Sequence, residues 1–384
     1  MEISKYFELN LVIASLFGVI WIISGLILNI FQFLIYITVR PISPYVYRKI
    51  NYYLIYSSWS QVVALAEYWA GCTLTVHFAD KESANCLGTE HSIVLMNHKY
   101  EVDWLFSWIL SDNFRILGSA KGFAKKEIRY LPVIGWGWFF CEMIFVSRQW
   151  EKDSQHLGPS VTRLMEYDDV VTLLIFAEGT RYTKEKYENS VTYCKDKGLD
   201  ILEHHLYPRS RGFVYTINKL KDKLPAIYNI QIAFRKEDPP PTLTSILRRQ
   251  PLHGYMYIQR VPMKNIPKES DEQISNFLLD VYKQKDQLTN YFNEHGKFPG
   301  EPPIVLKRRL APLVQTLFWS FSVIALLIYF IYYLITSKSY ILLTVTCLVI
   351  SLGFISFLVL VRSTKTKKGS SYGTTSQAQT KKSL

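Results

Sequence analysis

Cysteine is scarce in this chain of 384 residues. The five cysteines form no Cys-x-x-Cys pair and are too scattered to suggest a set of metal ligands. Small disulfide scaffolds and zinc modules depend on closely and regularly spaced cysteines, so neither class fits this chain. We expect all five to be reduced packing residues: Cys72, Cys86, Cys141, Cys194 and Cys347.

Charge is missing from three long apolar segments, residues 9–39, 310–336 and 340–361, which contain no Asp, Glu, Lys, Arg or His. At about 1.5 Å per helical residue, each is long enough to cross a hydrocarbon layer of roughly 30 Å. Ion pathways through membranes normally need an ionisable side chain within the membrane, so a transporter is disfavoured. A transporter and a non-catalytic membrane scaffold stay open only as distant alternatives.

The first apolar segment is interpreted as a membrane anchor. It is far longer than the roughly 7 to 15 apolar residues of a signal peptide, and no small-x-small cleavage site follows it. It either crosses the membrane once or breaks near Ser24 and Gly25 into two re-entrant helices. The second and third segments are separated by residues 337–339 alone, which is typical of a hairpin of two spanning helices.

Acidic residues are absent from residues 362–384, a basic, Ser/Thr/Gly-rich stretch that contributes strongly to the formal net charge of +12. Such a segment beside a membrane is typical of a disordered tail attracted to anionic lipid. Because no zinc-finger spacing or RNP-type aromatic motif accompanies the charge, no nucleic-acid partner is expected. Lys381 and Lys382 resemble the dilysine signal by which coat proteins recognise membrane proteins of the endoplasmic reticulum.

Basic clusters adjoin each apolar segment, and by the positive-inside rule they lie in the cytosol. The expected protein is therefore a multi-pass protein of the endoplasmic reticulum membrane with a cytosolic central domain. Its predicted parts are an N-terminal anchor, a cytosolic domain, a two-helix transmembrane hairpin and a basic disordered cytosolic tail, at residues 1–40, 41–303, 304–361 and 362–384.

The central domain alternates strand and helix patterns. Short apolar runs predict strands at residues 92–96, 143–147, 170–176, 227–234 and 254–261. Helical periodicity occurs at residues 104–110, 152–166 and 271–291. Residues 51–77 favour a helix that lies against the membrane or in the core. The alternation predicts an α/β sheet covered by helices.

The first motif, Asn-His-Lys-Tyr-Glu-Val-Asp at residues 97–103, follows a predicted strand. If the chain turns into a helix here, Asp103 can bind one imidazole nitrogen of His98 and leave the other to accept a proton. Such a pair can deprotonate a hydroxyl group, which can then attack a thioester without a serine or cysteine nucleophile. The alternative is that His98 caps a helix or pairs with Asp103 for stability alone.

The second motif, Phe-Ala-Glu-Gly-Thr-Arg at residues 176–181, follows another predicted strand. Gly179 lets the backbone approach a phosphate, Thr180 can donate a hydrogen bond, and Arg181 can bind phosphate oxygens bidentately. Glu178 is expected to brace the turn or to orient Arg181. The alternative is an ordinary turn with a surface arginine. Because both strands are predicted for one sheet, the two motifs are expected side by side at its edge.

These two motifs resemble the first and third sequence blocks of the glycerolipid acyltransferase superfamily. Residues 124–136 and 144–148 resemble the middle region and second block, and residues 197–213 extend the similarity towards the gamma and delta type 1-acylglycerol-3-phosphate acyltransferases of animals. The resemblance implies the glycerol-phosphate acyltransferase fold, a mixed sheet flanked by helices. Ser147 stands where many members carry aspartate, and residues 224–228 only approximate the fourth block, which leaves substrate selectivity open.

The resemblance implies specific roles. His98 would be the general base and Asp103 its orienting partner, while Arg148 and residues 179–181 would bind the acceptor's phosphate and Glu178 would shape the turn. Lys126 is a further basic candidate. Arg209 and Arg211 either contact coenzyme A phosphates or lie in a charged surface loop, while His204 and His205 are not expected to form a metal pair.

The implied reaction transfers a fatty acyl chain from acyl-CoA, a co-substrate, to the sn-2 hydroxyl of lysophosphatidic acid, and yields phosphatidic acid for phospholipid biosynthesis. No cofactor or metal ion is expected, because a thioester is already activated. The alternative acceptor is another lysophospholipid such as lysophosphatidylinositol. A serine hydrolase is disfavoured because no predicted strand leads into a Gly-x-Ser-x-Gly elbow.

Overall fold

The computed structural model describes residues 2–147, 150–348 and 351. Its centre is an eight-stranded sheet within these residues. The strands are β1 (Thr73–Phe78), β2 (Ser92–Met96), β3 (Ala120–Lys125), β4 (Ile144–Val146), β5 (Thr172–Ile175), β6 (Ala226–Ala233), β7 (His253–Pro262) and β8 (Ile304–Val305). All five strands predicted from the sequence are confirmed, whereas β1, β3 and the two-residue β8 were missed.

The sheet is mixed, with the strand order β4-β3-β5-β2-β6-β7-β1-β8. The five strands from β4 to β6 run parallel to one another, while β6 and β7 pair in antiparallel fashion. β2 is fully buried along its length, as expected for a central parallel strand. Because the neighbours are parallel, the carboxyl ends of β2, β5, β3 and β4 meet at one edge of the sheet.

Helices cover both faces of the sheet, as the sequence predicted. They are α1 (Glu2–Thr38), α2 (Pro44–Ala64), α3 (Lys81–Cys86), α4 (Asp103–Asn113), α5 (Ile134–Phe140), α6 (Trp150–Leu164), α7 (Lys184–Lys197), α8 (Ser210–Leu220), α9 (Leu243–Leu247), α10 (Asp271–His295) and α11 (Leu310–Thr336). One apolar core lies between the sheet and α2 and α4, and a second lies between the sheet and α6, α8 and α10.

The prediction of a helix over residues 51–77 is wrong at its C-terminal end. α2 stops at Ala64, one π-helical turn follows to Trp69, and Gly71 adopts a φ of 78° that turns the chain away. The next residues alternate buried and half-buried side chains and include β-branched Thr and Val, which favour a strand. Residues 73–77 therefore form most of β1.

Two helices are long and apolar enough to cross a membrane, α1 within Ile13–Thr38 and α11 at Leu310–Thr336. α1 continues through Ser24 and Gly25 without a break. Residues 337–339 form a turn, and helix resumes at residue 340, but most of the third apolar segment and all of the basic tail lie outside the described residues. The predicted dilysine signal also lies there.

Polar side chains on α1 face the protein rather than the surroundings. The Ser24 hydroxyl donates a hydrogen bond to the Gln61 side chain at 3.3 Å, and Gln32 donates to Asn51 at 2.7 Å. Burial of a polar group requires such a partner, so these pairs fix which side of α1 faces α2. Among the cysteines, Cys72, Cys141 and Cys194 are buried and Cys347 is exposed, so the expected packing role fails for Cys347.

Candidate active site

His98 and Asp103 form a hydrogen-bonded pair just beyond the carboxyl end of β2. The Nδ1 atom of His98 lies 3.2 Å from Oδ2 of Asp103, and the same oxygen accepts the N–H of Tyr100 at 2.8 Å. The Asp103 side chain is fully buried, whereas 24% of the His98 side chain is exposed. Nδ1 is thus held by the carboxylate, and Nε2 is the nitrogen that can accept a proton from a substrate.

The surroundings of Asp103 raise its pKa on balance. Burial raises the pKa of Asp103, while the His98 imidazole and the N–H of Tyr100 lower it. Asp103 is also the first residue of α4, where the positive end of the helix dipole stabilises a carboxylate. A charged Asp103 orients His98 and stabilises the positive ring that forms when His98 takes up a proton.

The second motif forms a tight turn beside His98. The ring of Phe176 stacks on the imidazole, with the centroids 4.2 Å apart and an interplanar angle of 22°. Tyr182 donates its N–H to the carbonyl oxygen of His98 at 2.8 Å, which ties the two loops together. Gly179 has a φ of 71°, and a Cβ atom there would lie 2.9 Å from Cδ of Arg209. The positive φ therefore favours glycine here, and a larger residue would also displace the Arg209 side chain.

Glu178 is buried within this turn and contacts backbone groups rather than solvent. Its Oε1 accepts the N–H of His98 at 2.8 Å, and its Oε2 accepts the N–H of Leu206 at 3.2 Å. Burial raises the pKa of Glu178 to about 8, against the two N–H groups, which lower it. The sequence predicted that Glu178 stabilises a loop. In the structure, it does so by hydrogen bonds to the backbone N–H groups of His98 and Leu206.

Three basic residues lie at or near the predicted phosphate site. Lys186, which the sequence did not predict, donates from Nζ to the Thr180 hydroxyl at 2.7 Å and to the Arg181 carbonyl at 3.0 Å. Lys126 is exposed at the end of β3, so it shares an edge of the sheet with the second motif. Arg148 lies outside the described residues, but β4, which leads to it, ends at the same edge.

Lys186 was missed at the sequence level. The only local signal is Thr183, which caps α7 and places Lys186 in its first turn. The Asn97 side chain donates to the carbonyl of Ile232 at 3.1 Å and accepts the N–H of Ile232 at 2.8 Å. These two bonds fix the end of β2 to β6.

The two adjacent histidines that follow the second motif contact different groups. His204 approaches the Asn290 side chain through Nε2 at 2.6 Å, whereas His205 bonds through Nδ1 to Asp286 at 2.6 Å. Burial lowers the pKa of His205 to about 4, against the opposing effect of Asp286, so His205 is neutral at pH 7. Within the described residues, no three His, Cys, Asp or Glu side chains are grouped closely enough to hold a metal ion.

A cavity of about 540 Å³ adjoins the catalytic pair. Phe176, which stacks on His98, and Trp104, which follows Asp103, both line it. From there it extends over Leu174 of β5 and Gly122 of β3 and is covered by Trp21 of α1 together with residues of α2 and α5. Its lining is predominantly apolar, so the arrangement can hold a long hydrocarbon chain with one end beside the imidazole.

Comparisons with known proteins identify families and proteins to which this chain is similar. The family described as Acyltransferase matches residues 75–228, which contain both motifs, and the family described as Acyltransferase C-terminus matches residues 245–319. A solved structure of the 1-acyl-sn-glycerophosphate (LPA) acyltransferase PlsC from Thermotoga maritima is similar with a TM-score of 0.46 and 16% identity, and the match covers 74% of this chain and 98% of that chain.

Curated relatives are similar over nearly their full length. The delta 1-acyl-sn-glycerol-3-phosphate acyltransferase of Homo sapiens is 37% identical over 379 residues, 99% of each chain. The delta protein of Rattus norvegicus is 38% identical over 93% of each chain. The gamma protein of Homo sapiens is 34% identical over 97% of this chain and 98% of its own. The chain therefore belongs to the 1-acyl-sn-glycerol-3-phosphate acyltransferase family.

Proposed function

We propose that the protein transfers a fatty acyl chain from acyl-CoA to the sn-2 hydroxyl of lysophosphatidic acid and so forms phosphatidic acid. The pairing of His98 with the buried Asp103 at 3.2 Å, next to an apolar cavity, carries this proposal. A base beside a chain-holding cavity fits acyl transfer to an alcohol. The names of the relatives, which are 1-acyl-sn-glycerol-3-phosphate acyltransferases, support the choice of acceptor.

The reaction proceeds by direct attack of the acceptor on the thioester. His98 Nε2 takes the proton of the sn-2 hydroxyl as its oxygen bonds to the thioester carbonyl carbon. The tetrahedral intermediate then collapses, the C–S bond breaks, and the proton passes from His98 to the sulfur, which leaves as the free thiol of coenzyme A. Asp103 holds Nδ1–H throughout and stabilises the transient imidazolium.

The surrounding residues position the two substrates. The acyl chain occupies the cavity over Leu174 and Gly122, which places its carbonyl group beside His98. The acceptor's phosphate is bound by Arg181 and Lys126, together with Arg148, which lies outside the described residues. Positively charged side chains suit phosphate oxygens, and arginine can bind them bidentately. Neither a metal ion nor a cofactor is needed, because the thioester supplies the driving force.

The proposed location is the endoplasmic reticulum membrane, with the catalytic domain in the cytosol. α1 and α11 are the candidate spans that support membrane attachment. A multi-pass arrangement with a cytosolic tail would expose Lys381 and Lys382 to coat proteins. Replacement of both lysines by serine, with a reporter followed by microscopy, tests this location separately from the activity.

An acceptor panel tests the proposed reaction. The purified full chain in lipid nanodiscs is given oleoyl-CoA with lysophosphatidic acid, lysophosphatidylinositol or no acceptor, and thiol release and lipid product are both measured. We expect the highest kcat/KM with lysophosphatidic acid. A higher value with lysophosphatidylinositol would replace the proposed acceptor, and equal thiol release with and without acceptor would contradict acyl transfer altogether.

Gly122→Val is expected to shorten the acyl chain that the enzyme accepts. Gly122 faces the cavity, and a Cβ atom there would meet Leu174 O at 3.5 Å and Met143 Cε at 3.8 Å, which are ordinary contacts. Valine therefore fits the strand but occupies space for the chain. Since each CH₂ excluded from an apolar site costs about 0.8 kcal/mol, kcat/KM for stearoyl-CoA should fall about tenfold relative to octanoyl-CoA.

The matched control for this change is Gly212→Val. A Cβ atom at Gly212 meets no heavy atom within 4 Å, and this residue lies on α8 on the opposite face of the sheet. The control should keep the parent's ratio of stearoyl-CoA to octanoyl-CoA activity. An unchanged ratio in Gly122→Val would show that the acyl chain does not occupy this cavity.

A further inference from the structure

α10 carries two adjacent charged residues, Lys285 and Asp286, on the side that faces the sheet. Lys285 is completely buried and 8% of Asp286 is exposed. The helix is firmly bounded, by a Ser270 and Gln273 capping box at its start and by Gly296 in the left-handed conformation after its end. It also lies outside residues 75–228, which hold both motifs. α10 is thus a well-bounded helix whose buried side chains contact the strands that lead to the active site.

Lys285 joins two strands just before the catalytic loop. Its Nζ donates to the carbonyl of Leu95 on β2 at 3.2 Å and to the carbonyl of Ile230 on β6 at 2.5 Å. Leu95 is three residues before His98, so the ammonium group holds the end of the strand from which the histidine projects. Asn97 makes the next tie between the same two strands.

Asp286 holds the loop that reaches the other motif. Its Oδ2 accepts the N–H of Glu203 at 2.5 Å, and its Oδ1 accepts the N–H of His204 at 3.1 Å and contacts Nδ1 of His205 at 2.6 Å. A carboxylate that accepts several backbone N–H groups fixes the path of a loop. The next residue along this loop is Leu206, whose N–H binds Glu178.

The segments held by Lys285 and by Asp286 both connect to the backbone of His98. Glu178 accepts the N–H of His98 with one oxygen and the N–H of Leu206 with the other. Glu178 and Lys285 are both buried and interact electrostatically: burial raises the pKa of Glu178 to about 8 and lowers that of Lys285 to about 7, and each charge opposes the shift of the other. The ammonium group therefore favours the ionised form of the carboxyl group that holds His98.

We propose that Lys285 is a positioning residue for the catalytic base: it holds the ends of β2 and β6, and so fixes the backbone from which His98 projects. This inference rests on the proposed function. It gives α10 an indirect part in catalysis, because α10 holds the His98 loop in addition to the strand that leads into it.

The fold by itself does not account for a lysine here. Removing an ammonium group from water is costly, and apolar side chains of similar volume often replace buried charges without loss of stability. Lys285 packs beside the apolar side chains of Tyr282 and Leu288, and the other polar side chains between α10 and β6, such as Gln231 and Thr289, are uncharged. A buried charge beside a catalytic loop, with a specific partner, is instead typical of a site that needs that charge.

The test compares Lys285→Met, Lys285→Gln and Lys283→Met in the full chain. Methionine keeps the length of the side chain without its charge, and glutamine keeps N–H donors. Lys283 is the matched control, a 43% exposed lysine on the same helix that binds Asp200 at 2.7 Å. We expect kcat to fall 10- to 100-fold in both Lys285 variants, roughly the loss that misplacement of a catalytic group causes, with KM for both substrates within about twofold of the parent. Lys283→Met should keep the parent's kcat.

A double variant tests whether Lys285 and Glu178 position the same loop. If they do, adding Lys285→Gln to Glu178→Gln should reduce kcat by less than about threefold, because the first change has already released the backbone of His98. Multiplicative losses would overturn the proposal, as would a kcat within twofold of the parent in folded Lys285→Gln.

Hydrogen–deuterium exchange of residues 96–102 supplies a readout that does not depend on activity. Faster exchange of this peptide in the Lys285 variants, but not in Lys283→Met, is expected. Unchanged exchange would contradict the positioning role even if activity fell. Should Lys285→Met fail to fold, the kinetics and exchange of Lys285→Gln decide. A parent that exchanges as expected but transfers no acyl chain would contradict the proposed function alone.

Discussion

His98→Ala is expected to abolish nearly all acyl transfer, with a loss in kcat of roughly 100- to 10,000-fold, the range that general base catalysis contributes. The imidazole is the group that removes the proton from the acceptor hydroxyl, and alanine cannot do so. Binding of acyl-CoA should be retained, because the cavity is formed by other side chains such as Phe176 and Leu174. The rate of thiol release measures the effect on transfer, and calorimetry measures the affinity for acyl-CoA.

His91→Ala is the matched control for this experiment. His91 precedes β2 as His98 follows it, and its Nδ1 accepts the N–H of Val171 at 3.0 Å at the opposite edge of the sheet. Its loss should lower the melting temperature slightly and leave kcat within about twofold of the parent. If His98→Ala retained the parent's rate with every acceptor, the base mechanism would be wrong and the motif would be structural.

Asp103→Asn is expected to lower kcat by roughly 100-fold or more, with little change in KM. The carboxamide keeps the shape of the side chain but cannot stabilise the imidazolium, and its NH₂ group favours the wrong tautomer of His98 if it faces Nδ1. The N–H of Tyr100, which binds the same oxygen at 2.8 Å, can still be satisfied by the amide oxygen. Steady-state kinetics with lysophosphatidic acid as the varied substrate separate kcat from KM.

Asp112→Asn is the control that distinguishes an effect of Asp103→Asn on catalysis from an effect on stability. Asp112 is buried on the same helix, α4, and binds Arg309 at 2.9 Å and the Tyr56 hydroxyl at 3.0 Å. Loss of this buried charge pair should lower the melting temperature more than Asp103→Asn does, yet leave kcat near that of the parent. Equal kinetic losses in both variants would show that Asp103 acts through the fold of α4 and not through His98.

The sequence identified the two loops but not how they are held. The His98–Asp103 pair could be predicted because the two residues lie five positions apart directly after an apolar strand, a purely local pattern. Lys285 could not be found this way, because it contacts Leu95, 190 positions earlier in the chain. Its own surroundings in sequence, on a helix rich in Lys, Gln and Asp, are typical of a solvated surface.

Long-range contacts also changed the meaning of local signals. Glu178 sits in a motif that suggested contact with Arg181, but tertiary structure places its carboxylate between the N–H groups of His98 and Leu206. Residues 120–125 contain two lysines and a glycine, a weak strand signal, yet they form β3 because β4 and β5 pair with them on both sides.

The sequence alone determined the apolar segments, the α/β alternation and the His98–Asp103 pair, because each depends on residue type and short spacing. Only the tertiary structure decided the order of the parallel strands, which brings the second motif against His98, and the cavity enclosed by α1, α2, α4 and α5. It also decided that α10 reaches the catalytic loop. Close packing joins residues that are remote in the chain, and no local pattern encodes such contacts.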